Sequence, residues 1–196
     1  GSIAAGNAML ATGVQTNLLL GGLGVNIPMT TPLVSAFQTI PVTTSLGPVI
    51  GVANGDLAVR QQIDGRLRFT GGAEQLNANL DVSGKYPAVH PPAASISRVI
   101  SSVSSVLPFV SQTPICRIWG GLLDLTPDAL PVIGCVPSID GLYVAAGFSG
   151  HGFGIAPAVG EIMANKILGK KHFISLDAFS LNRFRNQLES SQNSTP

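Results

Sequence analysis

The stretch AAGFSGHGFGIAPAVGE, residues 145–161, places a glycine-rich loop between two regular elements. The preceding LYVAAG (142–147) predicts a short apolar strand, and a helix is expected to begin near Pro157, because proline suits a first helical turn. The loop glycines permit positive φ and let a ligand approach the main chain; they are Gly147, Gly150, Gly152 and Gly154. Free N–H groups at a helix start attract negative charge. The pattern favours a loop that holds an anionic or polarised group, and a tight corner without a ligand is the alternative.

Known catalytic and nucleotide-binding motifs do not fit this stretch. GxGxxG fails here because Ile155 or Pro157 occupies the third glycine position, and no GxxxxGK[ST] occurs in the chain. Ser149 lies in a sequence close to a nucleophile elbow, but His151 stands where that motif needs glycine. His151 is therefore the candidate catalytic residue of the loop, with a hydrogen-bonded structural histidine as the alternative. The remaining histidines have no metal-ligand spacing, so we expect no metal site.

Composition excludes several classes of protein. The chain has 196 residues, of which 11% are charged, and a formal net charge of +1. It carries no Lys/Arg cluster of the kind that nucleic-acid phosphates require. No apolar run reaches the 18 or more residues expected of a membrane-spanning helix. Two cysteines, Cys116 and Cys135, cannot form a disulfide framework, so we expect buried thiols and a cytoplasmic protein.

The middle of the chain has the clearest secondary-structure pattern. From 32 to 72 the sequence predicts a meander of antiparallel strands, with hairpin turns at the NG of 54–55 and the DG of 64–65. Alternation along one strand places Arg60 on the face away from the core. Apolar residues at helical spacing predict a helix over 93–107. The fold class is therefore α+β, with a mainly antiparallel sheet.

The two ends of the chain give weaker signals. Residues 2–6 (SIAAG) are interpreted as the last half of a buried strand, and 7–21 as a short helix. ICRIWGGLLDL (115–125) predicts a strand. The helix after the glycine loop is expected to stop at Gly169, and LDAFSLNRF (176–184) to form a final short helix.

Several segments together resemble one enzyme family. RIWGGLLDLTPDALPVIG (117–134), followed by DGLYVAAGFSGHGFGIAPAVGEIMANKILG (140–169), resembles the C-terminal signature of the FAD-dependent D-amino-acid oxidase, glycine oxidase and sarcosine oxidase superfamily, the DAO family. DGRLRFTGG (64–72) resembles the middle hairpin of that family, and IAAG (3–6) resembles the strand at which its second flavin-contacting segment ends. The resemblance covers residues 2–169.

The resemblance implies a division into two domains. Residues 1–30 and 112–190 would form the C-terminal portion of an FAD-binding, Rossmann-like domain, and 31–111 a substrate-binding domain built on an antiparallel sheet with a helix. Residues 190–196 would be a disordered tail. The GxGxxG half of the family's FAD-binding domain is absent from this chain. We therefore expect a companion chain that carries it, produced by proteolytic processing of a precursor or supplied as a separate subunit of a hetero-oligomer.

The resemblance also implies an activity: hydride transfer to flavin N5 from the carbon next to nitrogen of a small amine or amino acid, giving an imine. FAD would be bound noncovalently, because Gly121 occupies the family's attachment position. The implied flavin contacts are Ala5, Gly6, Gly121, Leu122, Gly150, His151, Gly152, Phe153 and Gly154.

Departures from the family pattern limit what the resemblance implies about the substrate. Leu123 and Gly154 stand where some members have a cationic anchor, which leaves Arg60 as the candidate for a substrate carboxylate. A solvated or structurally paired arginine is the alternative at that position. If the two missing cations mean that catalysis is lost, the chain would be a non-catalytic assembly subunit that keeps the flavoprotein fold.

Overall fold

The computed structural model describes residues 1–52, 55–75 and 89–184. The chain divides into two compact units, one made of Gly1–Thr31 with Leu123–Pro196 and the other of Pro32–Leu122. The strand from Ile115 to Leu122 pairs within the second unit. The tail expected over 190–196 lies outside the described residues.

Helices and strands alternate irregularly along the described chain. In chain order they are β1 (Ala8–Leu10), α1 (Thr16–Gly21), β2 (Leu33–Pro41), β3 (Ile50–Gly51), β4 (Leu57–Gln61), β5 (Arg66–Gly71), α2 (Ala93–Val106), β6 (Ile115–Leu122), β7 (Val132–Cys135), β8 (Leu142–Ala146) and α3 (Gly152–Ile167). Short 3-10 helices lie at Gly13–Gln15, Pro108–Gln112, Asp177–Phe179 and Leu181–Phe184.

The first unit is built on a three-stranded sheet in the order β1-β8-β7. Strand β1 runs parallel to β8, and β7 runs antiparallel to it. Successive residues of β8 point to opposite faces: Val144 packs with Leu20 and Ile27, whereas Ala145 packs with Met163 of α3. Because both faces carry a core, β8 is an almost continuous apolar run, and its C-terminal end fixes where the glycine loop begins.

The second unit is a five-stranded antiparallel sheet in the order β3-β4-β5-β2-β6. One face packs on α2 through a core that includes stacked Phe37 and Phe69, with ring centroids 5.1 Å apart. Gly71 is required where α2 crosses β5, since a Cβ there would overlap the side chain of Val99. The opposite face carries Arg60, exposed, as strand alternation predicts.

Several sequence predictions are confirmed. The α+β class with an antiparallel sheet is as expected, and α2 lies within one residue of the 93–107 helix. The turn at 64–65 joins β4 to β5 and places Gly65 at φ +82°. Of the turn predicted at 54–55, Gly55 has φ +75°, and residue 54 lies outside the described residues. Strands β6 and β8 and the helix end before Gly169 are also confirmed.

Other predictions at the chain ends are wrong. Residues 2–6 form no strand; the strand is Ala8–Leu10, which replaces the first half of the helix expected over 7–21. Helix α3 begins at Gly152, so Pro157 lies inside it, where the missing N–H leaves the Phe153 carbonyl without its usual intrahelical donor. The last predicted helix is a pair of 3-10 turns.

The two cysteines expected to be buried are instead exposed. Cys116 lies on β6 and Cys135 ends β7, and both strands are at the edge of their sheets. Edge strands leave part of their side chains uncovered, which explains why a pattern based on residue type failed here.

Candidate functional site

The glycine loop after β8 has a left-handed backbone at several positions. Gly147 has φ +71°, Ser149 φ +51° and Gly150 φ +86°. A Cβ on Gly147 would lie only 2.5 Å from Cγ2 of Thr126, so glycine is required there by both conformation and space. The serine is unusual because a residue other than glycine rarely adopts positive φ. A backbone held in such a shape needs partners that fix it, and a second segment supplies them.

Residues 124–126 hold the loop in place. The Asp124 carboxylate accepts a hydrogen bond from the Gly147 N–H at 2.8 Å, and its carbonyl accepts one from the Ser149 N–H at 3.0 Å. The Ser149 hydroxyl accepts a hydrogen bond from the Thr126 N–H at 3.3 Å and lies 3.2 Å from the Gly147 carbonyl, to which it donates. Ser149 is therefore engaged in fixing the loop, in agreement with its failure to match a nucleophile elbow.

Helix α3 starts directly from this loop. His151 is the N-cap residue, and its side chain makes no capping hydrogen bond to the N–H groups of the first turn in the described structure. Gly152 leaves room for the ring of Phe148, since a Cβ there would lie 3.1 Å from the Cβ of Phe148. Phe153, in the first turn, is 101% exposed. The helix start therefore combines free N–H donors, which favour an anion, with an uncovered apolar surface.

An open cleft of about 530 Å³ lies against the loop and the first turns of α3, within the first unit. Small and apolar residues predominate in its lining: Met9, Ala11, Gly13, Leu123, Asp124, Ala145, Phe148, Gly150, Gly152, Phe153, Ala156, Val159 and Gly160. A Cβ on Gly160 would meet nothing within 4 Å, and one on Gly150 only Leu123 at 4.0 Å. Backbone N–H donors beside apolar walls suit a flat, partly anionic ring system, so these residues fit one side of a flavin.

The structure brings part of the predicted flavin set into this cleft. Gly150, Gly152 and Phe153 line it. His151, between them, is exposed at the helix start, and Gly154 is the next exposed residue of α3.

Ala5 and Gly6 are exposed and precede β1, and the lining at this end of the cleft comes from Met9, Ala11 and Gly13 instead. The segment MLATG (9–13), which contributes to this lining, repeats the apolar-Ala-x-Gly pattern of IAAG (3–6).

Asp124 is a cleft residue that the sequence analysis missed. It lies in the segment 117–134 that carries the family resemblance, but no role was predicted for its carboxylate. Its partner in the loop is 23 residues away along the chain, a contact that local patterns do not indicate.

The remaining predicted site residues belong to the second unit. Gly121 and Leu122 end β6, and a Cβ on Gly121 would meet nothing within 4 Å. Arg60 is exposed on β4, directly opposite Arg68 of β5.

The TPD motif forms a corner of the first unit. Asp128 binds Arg183 through two hydrogen bonds, at 2.7 Å to Nε and 3.2 Å to an Nη, and accepts a third from the Leu130 N–H at 3.1 Å. These bonds, that from Arg183 foremost, hold the pKa of the Asp128 carboxyl below its usual value of 3.8, against a smaller opposing effect of burial. Ala129, which lies between Asp128 and Leu130 in the sequence, has φ +58°. This aspartate is engaged in structure.

Two further searches of the described residues found nothing. No group of histidine, cysteine and carboxylate side chains among residues 1–52, 55–75 and 89–184 is arranged to hold a metal ion. None of the helices in that part of the chain has the length and apolar composition needed to cross a bilayer.

Comparisons with known proteins give consistent results. The beta subunit of sarcosine oxidase from Rhodobacter capsulatus is 26% identical over 186 residues, covering 94% of this chain and 42% of that protein. The D-amino acid dehydrogenase of Paramagnetospirillum magneticum is 26% identical over 190 residues, covering 96% and 42%. The chain thus spans less than half the length of these curated relatives.

Solved structures agree with the sequence relatives. The L-proline dehydrogenase from P. horikoshii superposes with a TM-score of 0.80 at 27% identity, over 93% of this chain and 48% of that one. Glycine oxidase from Geobacillus kaustophilus has the same TM-score at 21% identity, over 93% of this chain and 47% of that one. At this identity the similarity is one of fold. The profile described as DAO, FAD dependent oxidoreductase, matches residues 1–166. The resemblance and the FAD cofactor that it implied are therefore confirmed at the level of the family, and the chain belongs to the DAO family of FAD-dependent oxidoreductases.

Proposed function

We propose that this chain is the C-terminal part of an FAD-dependent oxidoreductase that acts on the CH–NH or CH–NH₂ group of a small amine or amino acid. The observation that carries the proposal is the cleft in which the glycine loop and the uncapped start of α3 meet the end of β1, in a chain of an FAD-dependent family. Relatives named for sarcosine, D-amino acids and L-proline support this class of substrate.

The residues of the cleft have separate roles in this proposal. A bound flavin supplies a two-electron acceptor that takes hydride from the carbon next to nitrogen, leaving an imine. The N–H groups of Gly152 and Phe153 stabilise negative charge near the start of α3. Gly150 and Gly160 leave space for the ring, while the side chains of Phe148 and Phe153 exclude water from it.

Two polar residues have proposed roles toward the substrate. His151 is exposed at the N-cap of α3 and takes or gives a proton at its imidazole. Arg60 binds a substrate carboxylate through its exposed guanidinium. The flavin is held noncovalently, because Gly121 offers no side chain for attachment.

Further polypeptide, from a companion chain or from another segment of the same protein, is proposed to complete the cleft. Strand β1 is at the edge of its sheet and pairs in parallel with β8, and parallel strands are normally buried within wider sheets. Large apolar side chains of the first unit are uncovered, among them Ile3 at 94% and Leu18 at 78% exposure. An open strand edge together with exposed large apolar side chains in the same unit favours a protein partner for this unit.

The alternative function is a non-catalytic assembly subunit that keeps the flavoprotein fold. It is favoured by Leu123 and Gly154, which stand where some family members have a cation. The two functions differ in whether the bound flavin reacts. Flavin that stays oxidised with every amine tested in the absence of oxygen would support the assembly subunit, and bleaching by any amine would support the enzyme.

A substitution in the cleft tests the flavin site without relying on activity. Gly160→Leu places a side chain in the cleft and improves the helix propensity of α3 by about 0.8 kcal/mol, so helix weakening would not explain a loss of flavin. Ala164→Leu, one turn further along α3 and exposed outside the cleft, is the matched control.

The readout is the ratio of flavin absorbance to protein absorbance after gel filtration. We expect Gly160→Leu to lose flavin and Ala164→Leu to retain it. Equal flavin content in both variants would show that the cleft is not the flavin site.

A further inference from the structure

The open face of the sheet in the second unit carries a row of cations that cross-strand pairing fixes in register. Arg60 of β4 lies directly opposite Arg68 of β5, Arg68 lies opposite Gln38 of β2, and Gln38 lies opposite Arg117 of β6. Directly paired residues project from the same face of a sheet. We call these four residues the arginine row. It crosses four neighbouring strands, a span of roughly 14 Å at the usual strand spacing.

The arginines of the row have no carboxylate partners in the described structure. The ion pairs in the described part of the second unit join Arg66 to Asp64 and Arg98 to Glu74. The Nε of Arg68 is buried without a hydrogen-bond partner. Like charges at directly opposed positions of two strands destabilise a sheet, so a bound anion would relieve the repulsion between Arg60 and Arg68.

Gln38 separates the cations of the arginine row into two groups, Arg60 with Arg68 on one side and Arg117 on the other. Gln38 is 8% exposed, and its amide donates to the side-chain oxygen of Gln62, so it fills the floor between Arg68 and Arg117 without adding charge. The Arg68 guanidinium lies over the Trp119 ring, 5.4 Å from its centroid, which fixes that side chain in place. A small cleft of about 130 Å³ beside Arg60 and Arg68 is lined further by Ala58 and Thr70.

We infer that the arginine row binds a ligand with two carboxylates, one held by Arg60 and Arg68 and the other by Arg117. Arginine forks match the planar geometry of carboxylates, and the spacing of the two groups across Gln38 suits a short chain between two acids. The identification of this ligand as the substrate rests on the proposed function. Under that function, the substrate is an amine that carries two acidic groups.

Calorimetric titration of the oxidised, FAD-loaded protein tests the inference without any turnover. Glutarate and pentanoate are the probes, because they have the same number of carbons and differ in the second carboxylate. We expect glutarate to bind at least about tenfold more tightly, the smallest effect expected of one charged hydrogen-bond partner. Equal affinity for the two acids would overturn the inference, and so would inorganic sulfate that displaces glutarate at equal concentration.

Variants separate the two groups of the row. Arg117→Gln should reduce the affinity for glutarate about tenfold and leave that for pentanoate unchanged, whereas Arg60→Gln should weaken both acids. Both residues are exposed, so neither change threatens the fold. Arg98→Gln removes an equal charge from α2 and should keep the preference for glutarate. A preference for glutarate that survives Arg117→Gln would contradict the inference.

The outcomes distinguish this inference from the proposed function. If amines bleach the flavin but the protein does not prefer glutarate, the dicarboxylate site at the arginine row is refuted and the proposed oxidoreductase function stands. A protein that prefers glutarate through Arg117 but whose flavin no amine reduces would refute the oxidoreductase and leave the dicarboxylate site.

Discussion

Among the described residues, the first unit exposes eleven large apolar side chains, many of them around an irregular loop, whereas the second unit, built on a regular antiparallel sheet, exposes five. In the second, Phe37 and Phe69 form a closed core under α2, and Arg60 and Arg117 face outward. In the first, Phe153 is fully exposed at the start of α3. The contrast supports the proposal that flavin and further polypeptide cover part of the surface of the first unit.

The difference extends to the backbone. The sheet of the second unit uses positive φ at its turns, as at Gly65. In the first unit, positive φ occurs inside a loop, at Gly147, Ser149 and Gly150. Hydrogen bonds to a segment distant in sequence fix this loop backbone. Strained backbone held by specific partners is typical of ligand-binding loops.

The largest expected effect compares a buried with an exposed phenylalanine. Phe69→Ala removes a fully buried ring and should lower the free energy of unfolding by about 3–5 kcal/mol, while Phe153→Ala should change it by less than about 0.5 kcal/mol in the flavin-free protein. Urea denaturation followed by circular dichroism measures both. Equal losses would mean that Phe153 is already packed against protein before flavin binds, which would break the contrast between the units.

A second prediction separates steric from conformational constraint in the loop. Gly147→Ala and Gly24→Ala change residues of almost equal φ, +71° and +70°, but a Cβ would meet Thr126 only at Gly147. We expect a loss of roughly 2–4 kcal/mol at Gly147 and roughly 1–2 kcal/mol at Gly24 from thermal or urea unfolding. Similar losses of unfolding free energy at the two positions would show that the segment around Thr126 moves to accommodate the added Cβ. The loop would then be less tightly fixed than its contacts indicate.

The third prediction concerns the Asp128–Arg183 corner of the first unit. The pKa of Asp128 is lower in the folded than in the unfolded protein, chiefly through the hydrogen bond from Arg183, so its stabilising contribution is complete above the unfolded pKa. That contribution is lost as the pH falls through the folded pKa, below the usual value of 3.8. Solvent screening limits it to about 1 kcal/mol.

Asp128→Asn is the variant for this test. The difference in unfolding free energy between it and the parent protein should be present at pH 6 and shrink as the pH falls below 4. A difference that stays constant over this range would contradict the assigned charge pairing. Asp177→Asn, a change to an exposed acid in the same unit that has no salt bridge in the described structure, is the control.

The smallest expected effect is a gain in stability. Ala129 has φ +58°, and glycine adopts that conformation without the steric cost that a Cβ imposes. After the greater entropy of glycine in the unfolded chain is subtracted, Ala129→Gly should stabilise by roughly 0.5 kcal/mol. Ala164→Gly, in the last turn of α3, should instead destabilise by up to about 1 kcal/mol. A loss at Ala129 would show that the corner does not hold the alanine in strain.

Local patterns predicted the second unit well for physical reasons. The turn at Gly65, the outward position of Arg60 and the helix under the sheet each follow from residues that are neighbours in sequence or at a fixed period. Local patterns could not predict which residues of different strands lie opposite one another. Pairing between strands that are distant in sequence aligns Arg68, Gln38 and Arg117.

The first unit was harder to predict because its decisive contacts are distant in sequence. MLATG (9–13) and IAAG (3–6) carry the same pattern, and only pairing of β1 with β8 selects the former. Helix α3 begins at Gly152, in a stretch of low helix propensity, because Val159, Ile162 and Met163 pack its inner face on the sheet. The glycine loop itself was recognised, but the role of Asp124 in holding it was not.

Hydrogen exchange with and without FAD is the most direct test that the cleft of the first unit holds the flavin. Peptides covering 147–160 include the loop and the uncapped N–H groups at the start of α3. We predict that FAD slows amide exchange in these peptides and leaves those covering α2 unchanged. Unchanged exchange over 147–160, with protection elsewhere in the flavin-loaded protein, would contradict the account.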